Sequence, residues 1–277
     1  MGWATACAVD VQTGCGISSP VFNNTMNYQK LIRHTTVAAL ALCATTWAGA
    51  EGARPHWEYK GEHGAAHWGA LEPGFEACAR GMAQSPIDIR NTVKEALPVL
   101  DFQYAAGAPT LVNNGHTVQV NMPAGSKLVV DGKAMELLQF HFHTPSEEAI
   151  GGKRAAMVAH FVHKGEDGKL GVVAVLIQPG KTNAAWAPIF EHLPRVGEHL
   201  TVDGLTLDAG TLLPAKKGYY SFAGSLTTPP CSEGVQWMVL KDPVKLGAEQ
   251  IKAFRQLYNA NARPLQPLHG RVVKESA

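Results

Sequence analysis

Runs of like charge are missing from this sequence and its formal net charge is +1, so nothing in it marks a nucleic-acid partner. Internal repeats, low-complexity tracts, a P-loop and the glycine pattern of dinucleotide binders are missing too, which sets aside solenoids and nucleotide-dependent enzymes. The most apolar stretch near the front, Val37–Ala44, is too short to cross a bilayer. It reads instead as the core of an export signal that starts at the internal Met26, with Lys30, Arg33 and His34 before it and an Ala48-Gly49-Ala50 cleavage site after it. Residues 1–25 have no pattern and read as an upstream mis-start, residues 26–50 as the signal peptide, and residues 51–277 as the mature domain. Cysteine is scarce as well: Cys7, Cys15 and Cys43 fall in the discarded segments, leaving Cys78 and Cys231. An even pair in an exported chain fits a disulfide, two buried free thiols being the alternative.

What is present is a hydrophobic content of 45% and a rhythm of short alternating stretches. These are 99–104, 117–122, 127–130, 136–144, 155–163, 172–178 and 235–240, punctuated by Gly, Asn, Asp and Pro. The rhythm predicts one sheet-dominated domain. Helical spacing is clear over 247–258, with a shorter candidate at 183–192.

The chemistry centres on Gln139-Phe140-His141-Phe142-His143. Successive strand residues point to opposite faces, so His141 and His143 project together and the two phenylalanines project the other way. An H-x-H pair alone is weak evidence, because most strand histidines are solvated or hydrogen-bonded residues rather than ligands. A third candidate is His160, in a second alternating stretch separated from the first by Pro145 and Gly151-Gly152. Turn residues of that kind join antiparallel neighbours, which sets His160 beside the pair. Three imidazoles from two strands, with no fourth protein ligand in view, match an open tetrahedral zinc site.

Gln84-Ser85-Pro86-Ile87-Asp88, Asn114-Gly115-His116, Gln139 to His143, His160-Phe161-Val162-His163, Gly224 to Pro230 and Asn261-Ala262-Arg263-Pro264 occur in one order between about His56 and Arg271. In these stretches the chain resembles the alpha-class carbonic anhydrases of the bacterial, exported type. The resemblance implies a large twisted, mostly antiparallel central sheet with peripheral short helices, and cis peptide bonds at Ser85-Pro86 and Pro229-Pro230. It implies Zn2+ on His141, His143 and His160, and reversible CO2 hydration to bicarbonate and a proton by attack of zinc hydroxide, with a side esterase activity. Thr227 would orient the nucleophile, held by the buried carboxylate of Glu147. Val162, Val172, Leu226, Thr228, Val235 and Trp237 would line the substrate pocket. His116 would carry the proton out through water ordered by Tyr59, Asn114 and Gln119. Cys78 and Cys231 would form the bridge, and His163 would share the face of His160 yet serve structurally. Anions and sulfonamides are the expected inhibitors, the location is periplasmic or secreted with no membrane association after cleavage, and a homodimer stays open.

Two positions depart from the family pattern. Val158 stands where a glutamate two residues before the third ligand accepts that histidine's second N–H, and Glu148 stands where a histidine is common. Loss of such an outer partner typically costs ~10 to 100-fold in metal affinity or activity, so weaker zinc retention is expected. The rival reading is a silent carbonic-anhydrase-like binding protein. Silent relatives usually lack a ligand histidine, whereas all three are present here.

Overall fold

A computed structural model describes residues 56–277; the expected mis-start, signal segment and Ala50 cleavage site lie outside the described residues. Strands dominate, and thirteen of them share one sheet. Its centre is built from β1 (Thr110–Asn113), β2 (Val118–Asn121), β3 (Lys133–His143), β4 (Met157–Gly165), β5 (Leu170–Gly180), β6 (Tyr219–Ser225) and β7 (Glu233–Leu240), in spatial order β1-β2-β3-β4-β5-β7-β6. Pairing is antiparallel except chiefly between β5 and β7, where Val172 lies opposite Trp237. Each expected alternating stretch lies on a strand, because alternation buries one set of side chains on each face. The sequence reading did not foresee β1, β6 or the short edge strands Val93–Glu95, His199–Thr201 and Lys274–Ser276, which are too brief or too polar to show a period.

The β3–β4 pair has its register fixed by alternation. His141 lies opposite His160, Phe140 opposite Phe161 and Phe142 opposite Ala159. Slipping the register by one would exchange the two faces, driving imidazoles into the aromatic core. A bulge at Leu138 shifts the pairing between Val162 and His163, so Leu137 turns back into the core while Leu138 is exposed.

One face of this pair packs Phe140, Phe142, Ala159 and Phe161 against Trp186, Phe190 and Phe254. Phe254 comes from the helix Ala248–Leu257, which matches the expected 247–258 segment; Gln250 caps its start by accepting from the Gly247 N–H at 3.0 Å. The second helical candidate shrinks to Ala187–Phe190, since Pro188 has no N–H to give the preceding turn. The opposite face carries the histidines and a second apolar cluster that includes Val158, Val162, Val172, Val235 and Trp237.

The expected face for His163 needs correction. Lying three residues beyond His160, it falls on the aromatic face, where Tyr104 Oη and its Nε2 are 2.7 Å apart and its Nδ1 is 3.3 Å from the Gly171 carbonyl. The Cys78–Cys231 bridge is formed and closes a separation of 153 residues. A loop that long corresponds to about 5 kcal/mol in the chain-entropy treatment. Cis bonds occur at Ser85-Pro86 and Pro229-Pro230, and also at Thr144-Pro145, where no expectation was made.

Candidate metal centre

The three imidazoles meet. Ring centroids are 5.0 Å apart for His141 and His143, 5.5 Å for His141 and His160, and 4.8 Å for His143 and His160. One nitrogen from each ring lies within 4.8 Å of the others.

Outer hydrogen bonds decide which nitrogens those are. His141 Nδ1 is 2.9 Å from Gln139 Oε1, His143 Nδ1 is 2.7 Å from the Asn261 carbonyl, and His160 Nε2 is 3.0 Å from Glu148 Oε1. Each acceptor takes an N–H and fixes the tautomer, which leaves the lone pairs of His141 Nε2, His143 Nε2 and His160 Nδ1 facing the common centre. His143 Nε2 is buried without a hydrogen-bond partner, the state of a nitrogen whose partner is an ion.

Charge around the centre leads to the same conclusion. Burial, helped by His160, pushes His141 down to about 3, and burial with both neighbouring imidazoles holds His143 well below the ordinary range. Both rings are therefore neutral and able to donate electron pairs. Burial lowers His160 too, but the charge and hydrogen bond of Glu148, with Glu147 adding to them, hold it above the ordinary value. Burial pushes Glu147 up to about 7 against the pull of His160, with Glu148 adding to the rise. Two buried carboxylates beside three imidazoles thus make room for positive charge, supplied by a proton on His160 or by a metal ion.

Glu147 is fully buried. Its Oε1 accepts from the Arg263 backbone N–H at 2.7 Å, that N–H and the nearby Thr227 hydroxyl both oppose the rise in its pKa, and Oε2 lies 3.5 Å from His143 Nε2 and 3.8 Å from His160 Nδ1. The Arg263 guanidinium reaches the carbonyls of Cys78 and Ser85 and Gln84 Oε1, so the bridge region and the centre share one network.

Val162, Val172, Val235 and Trp237 are buried in one cluster with half-buried Leu226 against it. The Trp237 ring stands edge-on at 4.9 Å from His160, its Nε1–H held by the Ser225 carbonyl at 3.0 Å. Gly224 permits this approach, because a Cβ there would sit 2.7 Å from the indole. Thr228 is half-buried beside Thr227. His116 follows Gly115, whose φ of +87° makes the turn, and stacks on Trp57 with centroids 3.7 Å apart. Burial and the nearby His56 lower the His116 pKa, with Glu58 opposing. Asn114 spends its Oδ1 on the His116 and Thr117 N–H groups, Gln119 donates to Asn121 Oδ1 at 2.6 Å, and Tyr59 packs on Trp57 and Trp68.

The sequence reading missed the outer partners. Gln139 was legible, being two residues before His141 on the same face; Asn261, Arg263 and Glu148 were not, since their roles come from loop placement. The expectation that His160 lacks an outer acceptor is overturned: the acceptor is Glu148, arriving from the loop rather than from strand position 158.

The family model for eukaryotic-type carbonic anhydrase matches residues 63–277. The chain belongs to the carbonic anhydrase family. It is 43% identical over 219 residues to a carbonic anhydrase of Pectobacterium carotovorum, covering 79% of this chain and 90% of that one. A hyperthermostable carbonic anhydrase from a hydrothermal vent chimney superposes with a TM-score of 0.78 at 44% identity, covering 80% of this chain and all of that chain. The alpha-carbonic anhydrase of Thermovibrio ammonificans, solved with the inhibitor sulfanilamide, gives a TM-score of 0.78 at 42% identity over the same shares. Membership implies hydration of CO2, and among the described residues the three imidazoles form the cluster that can hold a metal ion. Among the described residues no helix is long and apolar enough to cross a membrane.

Proposed function

We propose that this carbonic anhydrase is an exported zinc enzyme interconverting CO2 with bicarbonate and a proton. The observation that carries the reading is the convergence of one ring nitrogen each from His141, His143 and His160, the other nitrogen of every ring being hydrogen-bonded to an outer acceptor. Three imidazoles, with no fourth member of the cluster among the described residues, suit Zn2+ with a free position. Zinc, when bound, supplies the Lewis acidity that brings the pKa of water from ~15.7 to ~7, carbonic anhydrase being the reference case for that value.

The chain's own residues do the rest. Glu147, already accepting from the Arg263 N–H, would accept a hydrogen bond from the Thr227 hydroxyl, which would leave the Thr227 oxygen to accept one in turn from the attacking oxygen and so turn that oxygen's lone pair toward the substrate. Val162, Val172, Leu226, Val235 and Trp237, with Thr228 at the mouth, form a dry wall where small apolar CO2 rests and bulk water does not compete. His116 takes the released proton to buffer, with Tyr59, Asn114 and Gln119 ordering the intervening water. Slow ester hydrolysis is expected from the same nucleophile. Anions and sulfonamides should bind the same centre; the Thermovibrio relative forms a complex with the inhibitor sulfanilamide. The 26–50 signal pattern and the disulfide support a periplasmic or secreted location.

Rapid-mixing CO2 hydration on residues 51–277, with zinc measured in the same sample, tests this. About one zinc per chain and fast hydration are expected. Zinc-loaded protein without hydration would identify a binding protein instead.

A further inference from the structure

Adjacent glutamates at the centre divide their work. Glu147 turns an oxygen toward the metal-side nitrogens, and Glu148 turns one toward the outer nitrogen of His160. Among the three outer acceptors only Glu148 is a carboxylate; Gln139 offers an amide oxygen and Asn261 a peptide carbonyl. Glu148 and His160 are each 1% exposed, and the second Glu148 oxygen is buried with no partner, so His160 is the one side chain its carboxylate serves among the described residues.

The loop holds Glu148 from both sides. Its carbonyl accepts from Ser146 Oγ at 2.7 Å, Ser146 Oγ accepts from the Ala155 N–H at 2.8 Å, and the following residues Ala149-Ile150 pair in parallel with Asp88-Ile89. A side chain anchored so close to a two-strand pairing arrives at His160 in a fixed place. Val158, on the same strand face as His160 and two residues before it, is fully buried and belongs to the apolar cluster with Val162, Val172 and Trp237.

We infer that Glu148 is the positioning residue for His160, a loop carboxylate that fixes the ring and sets how tightly the centre retains its metal, leaving strand position 158 to the apolar wall. This rests on the zinc reading above. A carboxylate is the strongest of the three acceptors, so it makes His160 the most electron-rich ligand and keeps its Nδ1 lone pair on the metal side. The expected weakness of zinc retention is thereby withdrawn for the wild-type chain.

The test uses zinc-loaded residues 51–277 transferred into excess dipicolinate, with zinc loss followed over time, alongside thermal midpoints of the metal-free forms. Glu148→Ala should lose zinc ~10 to 100-fold faster than the wild type, and the isosteric Glu148→Gln about tenfold faster. Glu148→Ala combined with Val158→Glu should recover most of the loss, because it returns a carboxylate from the strand side of the same ring. Wild-type retention in Glu148→Ala overturns the inference. So does equal loss in the Ala and Gln variants that follows a matching fall in metal-free midpoint and is not recovered by Val158→Glu, since that describes packing alone. A wild-type chain that takes up no zinc would sink the zinc reading itself, a result separable from either.

Discussion

The two faces of the β3–β4 pair are built from alternate residues of the same two strands, yet they obey opposite rules. On the aromatic face Phe140, Phe142 and Phe161 sit fully buried among other apolar rings, and little there needs a partner. On the other face the same backbone carries His141, His143 and His160, close to two buried glutamates. Burying so many polar groups is costly unless each is hydrogen-bonded, and the outer nitrogens all are. The atoms left over on this face are His143 Nε2 and one oxygen each of Glu147 and Glu148, all on the ligand rings or on carboxylates touching them, while the aromatic face leaves over the single Trp186 Nε1. One face supplies stability and rigidity; the other gathers most of the unmet bonding around the three imidazoles, which is what an ion site requires.

The sharpest way to break that contrast is to truncate one residue on each face. His141→Ala should abolish stoichiometric zinc and bring CO2 hydration to background, while shifting the metal-free fold by no more than about 2 kcal/mol. Phe142→Ala, next door, should cost about 3 to 5 kcal/mol in urea unfolding, with zinc still bound by the folded fraction. Zinc content and unfolding midpoints of both variants decide it; a large stability loss from His141→Ala with zinc retained would reverse the assignment of the faces.

Period-two alternation made the strands and the opposite-facing His and Phe sets legible from sequence, because the pleat alone dictates it. The third histidine was legible through the turn residues between the strands. What alternation cannot show is which loop atom meets a ring's outer nitrogen. Glu148 sits in a loop whose path depends on its pairing with Asp88-Ile89, some sixty residues away in the chain, and Asn261 reaches His143 across 118 positions. Position 158 looked like a missing carboxylate because the family pattern implies one there, and that pattern does not show a loop carboxylate reaching the same ring.

His163 is the imidazole of β4 that falls on the aromatic face, and it sharpens the comparison through pH. Burial pushes it down to about 4, with the Gly171 carbonyl among the groups opposing. The unfolded chain takes up this proton near 6.5, so between those values it binds one proton that the folded chain does not. Stability from this residue is whole above pH 6.5 and declines as pH falls toward 4, by about 3 kcal/mol in full. His163→Gln should flatten that part of the acid limb when unfolding free energies are measured from pH 7 to 4.5. An acid limb unchanged by the substitution would show that the titration lies elsewhere.

The smallest effect concerns the rim of the metal face. His116 touches no ligand imidazole and stacks on Trp57, so its removal should leave zinc content and fold alone. If its role is to accept the proton released at each turnover, His116→Ala should slow hydration ~10 to 100-fold in dilute buffer that cannot itself collect protons. Concentrated imidazole should restore the rate, because a free imidazole in the cleft can make the same transfer. Equal slowing in both buffers would mean that His116 acts by holding Trp57 against the domain, and the metal face would then need no proton carrier of its own at this position.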